Sequence, residues 1–249
     1  MHSSSLRAPC QTRSTPGALG YFAEQVVLVP LLLALVAWSV QHSAVDEWIS
    51  RAFFDPPTRS FGLRDAPWLA AIGHHAARGI PVFVGGIAFA AAAGGWFVRA
   101  LRPWRGIALC TALAIALGPL AVALLKAHTS AHCPYVLDTF GGVVDYRAEH
   151  AGPFWATASR LAGHCLPSGH ASGGYAMVAL YFAGWAAGQP RWRYAGLAIG
   201  IALGLVFSAV RIAQGSHFAS QTIWSAAVDW LAAALVFAPL LLRLRPSAD

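Results

Sequence analysis

Apolar and polar positions fall in long blocks along this chain, not at the short periods of a soluble helix or strand. Six apolar runs stand out, at residues 21–40, 79–98, 106–125, 171–188, 194–210 and 222–242. A helix needs about 20 residues to cross the hydrocarbon of a bilayer, and each run is close to that length. Several end on a cation: Arg78 and Arg99 flank the second, Arg105 and Lys126 the third, Arg193 and Arg211 the fifth. Backbone in lipid must close its own hydrogen bonds, and Gly and Pro are spread through the runs, so they predict helices rather than strands. The expected fold is an all-α integral membrane bundle of six transmembrane helices over residues 21–245. A polar, disordered cytoplasmic segment rich in Ser, Pro and Gly is expected at 1–20.

Composition sharpens this picture. The chain is 57% hydrophobic and only 11% charged, where a soluble domain carries about 25% charged residues. Its net charge of +7 is scattered, with no Lys/Arg cluster of the kind that binds nucleic acid, so the cations read as membrane orientation. With both termini in the cytoplasm, the inside loops are short and almost purely basic, and seven of the ten acids fall outside. The first run is too long for a signal-peptide core and reads as an uncleaved anchor. The expected location is a bacterial inner membrane, N-in and C-in.

Three polar clusters then lie at helix ends on the outer face. They are KAHTSAHCP (126–134), PSGH (167–170) and RIAQGSH (211–217). Each supplies a piece of an anion site. Lys126 is a compact charge, and Arg211 offers a planar fork that matches phosphate oxygens. Ser168 and Gly169 stand where a helix begins, and free backbone N–H groups there favour an anion. His170 and His217 can move protons or attack phosphorus near neutral pH. Taken alone, Lys126 or Arg211 reads equally well as a snorkelling helix-end cation, and Pro-Ser as a helix cap. Their common face is what favours a site.

At these residues the chain resembles the type-2 phosphatidic acid phosphatases, which share a fold core with vanadium-dependent haloperoxidases. The family pattern is K-x6-R-P, then P-S-G-H, then S-R-x5-H-x3-D. P-S-G-H is complete at 167–170, Lys126 and Pro134 fit the ends of the first motif, and Arg211 and His217 keep the spacing of the third. The resemblance implies a metal-independent lipid phosphatase without a cofactor. His217 would be the nucleophile that forms a phosphohistidine, and His170 would protonate the leaving oxygen. Lys126, Ser168, Gly169 and Arg211 would hold the phosphoryl oxygens. The implied partners are a lipid phosphate or diphosphate (prenyl carrier, phospholipid or glycolipid) and the bilayer itself. A lipid phosphotransferase using the same histidine, or a non-catalytic lipid-phosphate binder or transporter, are the alternatives.

The chain departs from the family at three places: Cys133 replaces arginine, Val210 replaces serine and Gln221 replaces aspartate. A bacterial branch resembles it more closely, with CPYVLDTFGG at 133–142, HCLPSGH at 164–170 and GSHF at 215–218. An amide at 221 can still accept a hydrogen bond from the imidazole, but it cannot stabilise an imidazolium by charge. Cys133 and Cys165 both fall outside, where a disulfide is permitted, and a bridge between them would tie the first motif to the second. Cys10 and Cys110 fall inside and should stay reduced. His128, His132, His150 and His164 read as loop histidines, and their spacing with the cysteines matches no structural zinc pattern. His74, His75 and Arg78 are expected to precede the second helix at the interface. Asp229, inside the sixth run, should face the bundle.

Overall fold

The computed structural model describes residues 17–147 and 163–243. The expected disordered segment lies largely outside these residues, as do Cys10 and His150. The first helix, α1 (Ala18–Gln41), contains a π-helical stretch at Phe22–Leu28. It presents Leu31, Leu32 and Leu35 outward and buries Tyr21, whose hydroxyl donates to the Ala234 carbonyl at 2.7 Å. A short helix α2 (Val45–Arg51) and a small antiparallel pair, β1 (Phe54–Asp55) with β2 (Ser60–Phe61), follow. Helix α3 runs over residues 67–94, opening at Pro67 and passing through a π-helical stretch at Ala71–Ala76. This corrects one expectation: His74, His75 and Arg78 lie within the second helix, not before it. Proline at the first helical position is preorganised for a helix start, so the helix begins further out than the apolar run.

Helix α4 (Arg105–Lys126) is entered through a 3-10 turn at Arg99–Trp104. The fourth apolar run is built from α5 (Gly169–Tyr175), a 3-10 turn (Ala176–Val178) and α6 (Ala179–Ala186). Helices α7 (Pro190–Ala213) and α8 (Ala219–Arg243) complete the described bundle. Five helical segments are long and apolar enough to cross a membrane: Ala18–Gln41, Ala77–Gly94, Arg99–Lys126, Pro190–Ala213 and Ala219–Arg243. Residues 169–186 are not among them, being divided into shorter pieces.

That divided segment is the hub of the bundle. Every position from Ala171 to Ala179 is buried, whereas the other helices expose large apolar side chains such as Val82, Phe83, Phe89, Ile199 and Leu205. Met177, Val178 and Phe182 pack with Ile115 of α4 and with Ala234 and Phe237 of α8. Helix α7 approaches through Gly196, Gly200 and Gly204, one residue per turn on a single face. A Cβ at Gly200 would lie 2.7 Å from the Val178 nitrogen, and one at Gly196 would lie 2.5 Å from the Leu180 carbonyl carbon. In lipid, where apolar burial drives little helix association, small residues permit this close backbone contact.

At the motif end, a small apolar cap covers the bundle. Phe61, Leu137, Phe140 and Phe218 form it, with Phe54, Tyr135, Val144 and Tyr146 around them. Gly215 has φ +63° and lies against the Phe61 ring, so a side chain there would be both strained and obstructed. Asp46 of α2 fastens the cap to the bundle. It is 1% exposed and accepts the Ser220 N–H at 2.9 Å, and the Ser220 hydroxyl donates to its other oxygen. A carboxylate at the start of α8 satisfies an otherwise unpaired helix donor and complements the helix dipole.

The glycine face makes a direct prediction. Gly200→Leu should lower the thermal unfolding midpoint in detergent substantially, since overpacking against backbone costs about 1–3 kcal/mol or more. Gly86→Leu, where nothing lies within 4 Å of the new Cβ, should leave it nearly unchanged.

Candidate active site

The segments at 126–137 and 163–168 run beside each other at the motif end. The Cys165 N–H donates to the Ala131 carbonyl at 3.0 Å, and the Thr129 hydroxyl donates to the Leu166 carbonyl at 2.6 Å. Cys133 and Cys165 are joined by a disulfide, with their Cα atoms 5.3 Å apart. Both sulfurs are therefore committed to each other and are not available to a zinc ion. The Leu166–Pro167 peptide is cis, and α5 starts two residues later.

Ser168 occupies the cap position of α5, yet its hydroxyl makes no cap bond. Its backbone N–H donates to the Gln221 carbonyl at 3.1 Å, and its own carbonyl accepts the Ser225 hydroxyl at 2.9 Å. Its buried Oγ has no hydrogen-bond partner among the described residues, and the same holds for the buried Nε of Arg211. Leaving a buried polar group unmatched costs about 1–3 kcal/mol; Ser50 Oγ and Asp229 Oδ2 are among the other buried atoms left unmatched among the described residues, but Ser168 Oγ and Arg211 Nε are the two that fall in the motif clusters. The capping explanation of Ser168 does not hold. At Gly169 a Cβ would meet nothing within 4 Å, so the protein's own packing does not require that glycine.

His217 is 2% exposed, between α7 and α8. Its Nδ1 stands 2.9 Å from the Cys165 carbonyl oxygen and 3.1 Å from Gln221 Oε1. The amide of Gln221 has only one workable orientation. Its oxygen receives the Phe218 N–H at 3.1 Å, and its nitrogen donates to the His132 carbonyl at 3.1 Å. Both neighbours of Nδ1 are thus acceptors, so Nδ1 carries the proton and Nε2 keeps its lone pair. Burial first, then the charges of Lys126 and Arg211, push the His217 pKa down from about 6.5 to about 3, while its two hydrogen bonds pull the other way. The result is a neutral imidazole beside two cations.

Arg211 is half-buried in the last turn of α7, and its Nη1 donates to Gln214 Oε1 at 2.9 Å. Lys126 ends α4, with no ion pair to an acid among the described residues. His170 sits half-buried in the first turn of α5, two residues after Ser168. Asp229 serves a different element: it is buried, accepts the Ser172 hydroxyl at 3.0 Å, and lies where a side chain at Gly118 would stand. His128 and His164 turn their Nδ1 atoms to the carbonyls of Leu124 and Lys126 at 2.8 and 3.3 Å, while the His132 carbonyl accepts the Gln221 side-chain N–H.

Sequence reasoning does not reach Asp46, Arg64, Tyr135 or Gln214. Arg64 lies over the Tyr135 ring, 3.5 Å from its centroid, and its carbonyl accepts the Gln214 side-chain N–H at 3.3 Å. Gln214 is within the RIAQGSH cluster and carries a readable signal, a buried amide three residues beyond Arg211. Tyr135 lies in the CPYVLDTFGG stretch that the sequence singles out, whereas Asp46 and Arg64 come from segments distant in sequence and have none.

No curated protein and no solved structure matches the chain significantly. The PAP2 superfamily matches it over residues 107–243, more than half its length, from α4 to the end of α8. All three motif clusters fall inside that stretch, and the chain belongs to the PAP2 superfamily.

Proposed function

We propose that this protein is an integral membrane lipid phosphatase that works through a phosphohistidine on His217. PAP2 membership fits a phosphatase of lipid or similar phosphate esters. The observation that carries the finer reading is the neutral, buried His217. Its Nδ1 proton is spent on Gln221 and Cys165, and the unpartnered Ser168 hydroxyl and Arg211 Nε lie at the same end of the bundle. In this reading Nε2 of His217 attacks phosphorus as the bond to the lipid oxygen breaks. His170 protonates that oxygen. It then takes a proton from water, which attacks the phosphohistidine and releases inorganic phosphate. Lys126, Ser168, Gly169 and Arg211 hold the non-bridging oxygens as charge develops on them.

Gln221 does the work of orientation without charge. A carboxylate in its place would orient the imidazole but could not donate to the His132 carbonyl, so the amide suits the surrounding backbone here. The disulfide supports a motif end facing the periplasm of a bacterial inner membrane, because thiols in the cytosol stay reduced. Both termini then lie in the cytoplasm, and residues 169–186 form a sixth, protein-enclosed crossing. With the site at the lipid surface, the apolar tail of the substrate stays in the bilayer while its phosphate enters the cationic pocket.

Phosphate release by the purified protein in detergent with EDTA tests this reading, using prenyl diphosphates, phosphatidic acid, phosphatidylglycerol phosphate and phosphorylated glycolipids. Release that persists in EDTA and vanishes in His217→Ala is expected. Gln221→Ala should lower kcat about 10–100-fold with little change in KM, as is usual for a residue that orients a reacting ligand. Transfer of labelled phosphate to lipid instead of to solution would make it a transferase, and tight binding without turnover would make it a binder.

A pH prediction follows from the same geometry. The folded-state pKa of His217 is about 3, below its ordinary value near 6.5, so the unfolded chain binds the extra proton between these two values. His217 therefore destabilises the fold as pH falls from about 6.5 toward 3, and its contribution is intact above that window. Thermal unfolding should show a steeper loss of stability over this range in the wild type than in His217→Gln.

A further inference from the structure

A second guanidinium, that of Arg64, interacts with Arg211, and only Arg211 lies within the family-matched region. Arg64 comes from the segment between β2 and α3, far outside residues 107–243. Two contacts hold it there. Its guanidinium carbon lies over Tyr135, 3.5 Å from the ring centroid. Its carbonyl accepts from Gln214 Nε2 at 3.3 Å, and the same Gln214 receives Arg211 Nη1 at 2.9 Å. Tyr135 is fastened in turn to the cluster at 211–217, its N–H donating to the Gly215 carbonyl at 3.1 Å. One amide side chain thus links the backbone of Arg64 to the guanidinium of Arg211, and the two charges interact.

That arrangement is costly without an anion. Arg211 interacts with Lys126 on one hand and with Arg64 on the other, none of the three has an ion pair to an acid among the described residues, and like charges repel. The Tyr135 ring occupies one face of the Arg64 guanidinium but leaves its edge, with five N–H donors, unspent among the described residues. A guanidinium held over a ring with its edge open is preorganised to form paired bonds to phosphate oxygens. Arg64 is exposed whereas Arg211 is half-buried, so Arg64 marks the solvent side of the same anion.

We propose that Arg64 is a third phosphate-binding cation of this site, contributed by the segment before α3 and held in place by the Tyr135 ring and the Gln214 amide. Its ligand is a tetrahedral phosphoryl dianion, either on the lipid substrate or as free inorganic phosphate. The proposal rests on the reading of 126–217 as a phosphate site and extends that site to a segment beyond the family-matched residues.

The test compares wild type, Arg64→Gln, Arg64→Lys, Tyr135→Leu and Arg211→Gln in detergent. Binding of inorganic phosphate is read from phosphorus NMR line broadening, and KM and kcat are measured for the best lipid phosphate. Arg64→Gln should weaken phosphate binding about tenfold, the loss of one charge-assisted contact. It should raise KM by a similar factor with a much smaller change in kcat. Arg64→Lys should recover part of the loss, and Tyr135→Leu, which keeps the charge but removes its platform, should move KM in the same direction as Arg64→Gln. If Arg211→Gln loses phosphate while Arg64→Gln binds it as wild type does, the site stands and the role of Arg64 is overturned. A raised KM for lipid with unchanged binding of inorganic phosphate would place Arg64 on another part of the headgroup and overturn the phosphoryl assignment. If the wild type binds no phosphate at all, the phosphate-site reading fails and the proposal with it.

Discussion

A buried imidazole between two cations keeps its proton on Nδ1 only while acceptors face that atom. In this protein the acceptors are the Cys165 carbonyl and the Gln221 amide oxygen, at 2.9 and 3.1 Å. Each is held from elsewhere. Cys165 is bridged to Cys133 and bonded to Ala131, so the segment leaving α4 is tied to the segment entering α5. Gln221 is fixed at both ends of its amide by Phe218 and His132. The free lone pair on Nε2 and the proposed nucleophile depend on this pair of acceptors, while burial and the charges of Lys126 and Arg211 keep the pKa low.

The bundle beneath explains how such a site stays in place within lipid. Residues 169–186 run through the protein interior and not along its surface, so the first turn of α5 sits on a hub gripped from several sides. Asp229 holds Ser172 from below, and Ser225 and the Gln221 carbonyl hold Ser168 from the side. Asp46 anchors the start of α8 to the cap that covers the motif end. Gln221, Ser225 and Asp229 recur every four residues along α8, just beyond His217, so one face of that helix carries the hydrogen-bonded support of the site down into the bundle.

Much of this architecture is legible in the sequence because lipid imposes a simple length rule. Five of the six apolar runs correspond to long helices, displaced by a few residues at most ends and by twelve where Pro67 opens the second helix. The fourth run is less apolar, with Ser172, Tyr175, Tyr181 and four glycines, and hydropathy does not report that it is enclosed by protein and divided by a 3-10 turn. The clusters at 126–134, 167–170 and 211–217 declare themselves by residue type, and the fold gathers Lys126, Ser168, Arg211, His217 and Gln221 at one end. Asp46 and Arg64 are another matter. Asp46 meets Ser220 across 174 residues, and Arg64 meets Tyr135 across two helices. A charged residue in an interfacial loop has no local pattern that distinguishes a buried clamp from a solvated side chain.

The central claim is that Nε2 of His217 is the nucleophile because Nδ1 is occupied. Rapid quench of the enzyme with a phosphate-labelled lipid substrate, under alkaline conditions that preserve phosphohistidine, followed by peptide mass analysis and phosphorus NMR, tests it most directly. The account predicts label on His217 alone, attached at Nε2. Label at Nδ1, label on another residue, or phosphate release with no covalent intermediate would contradict it.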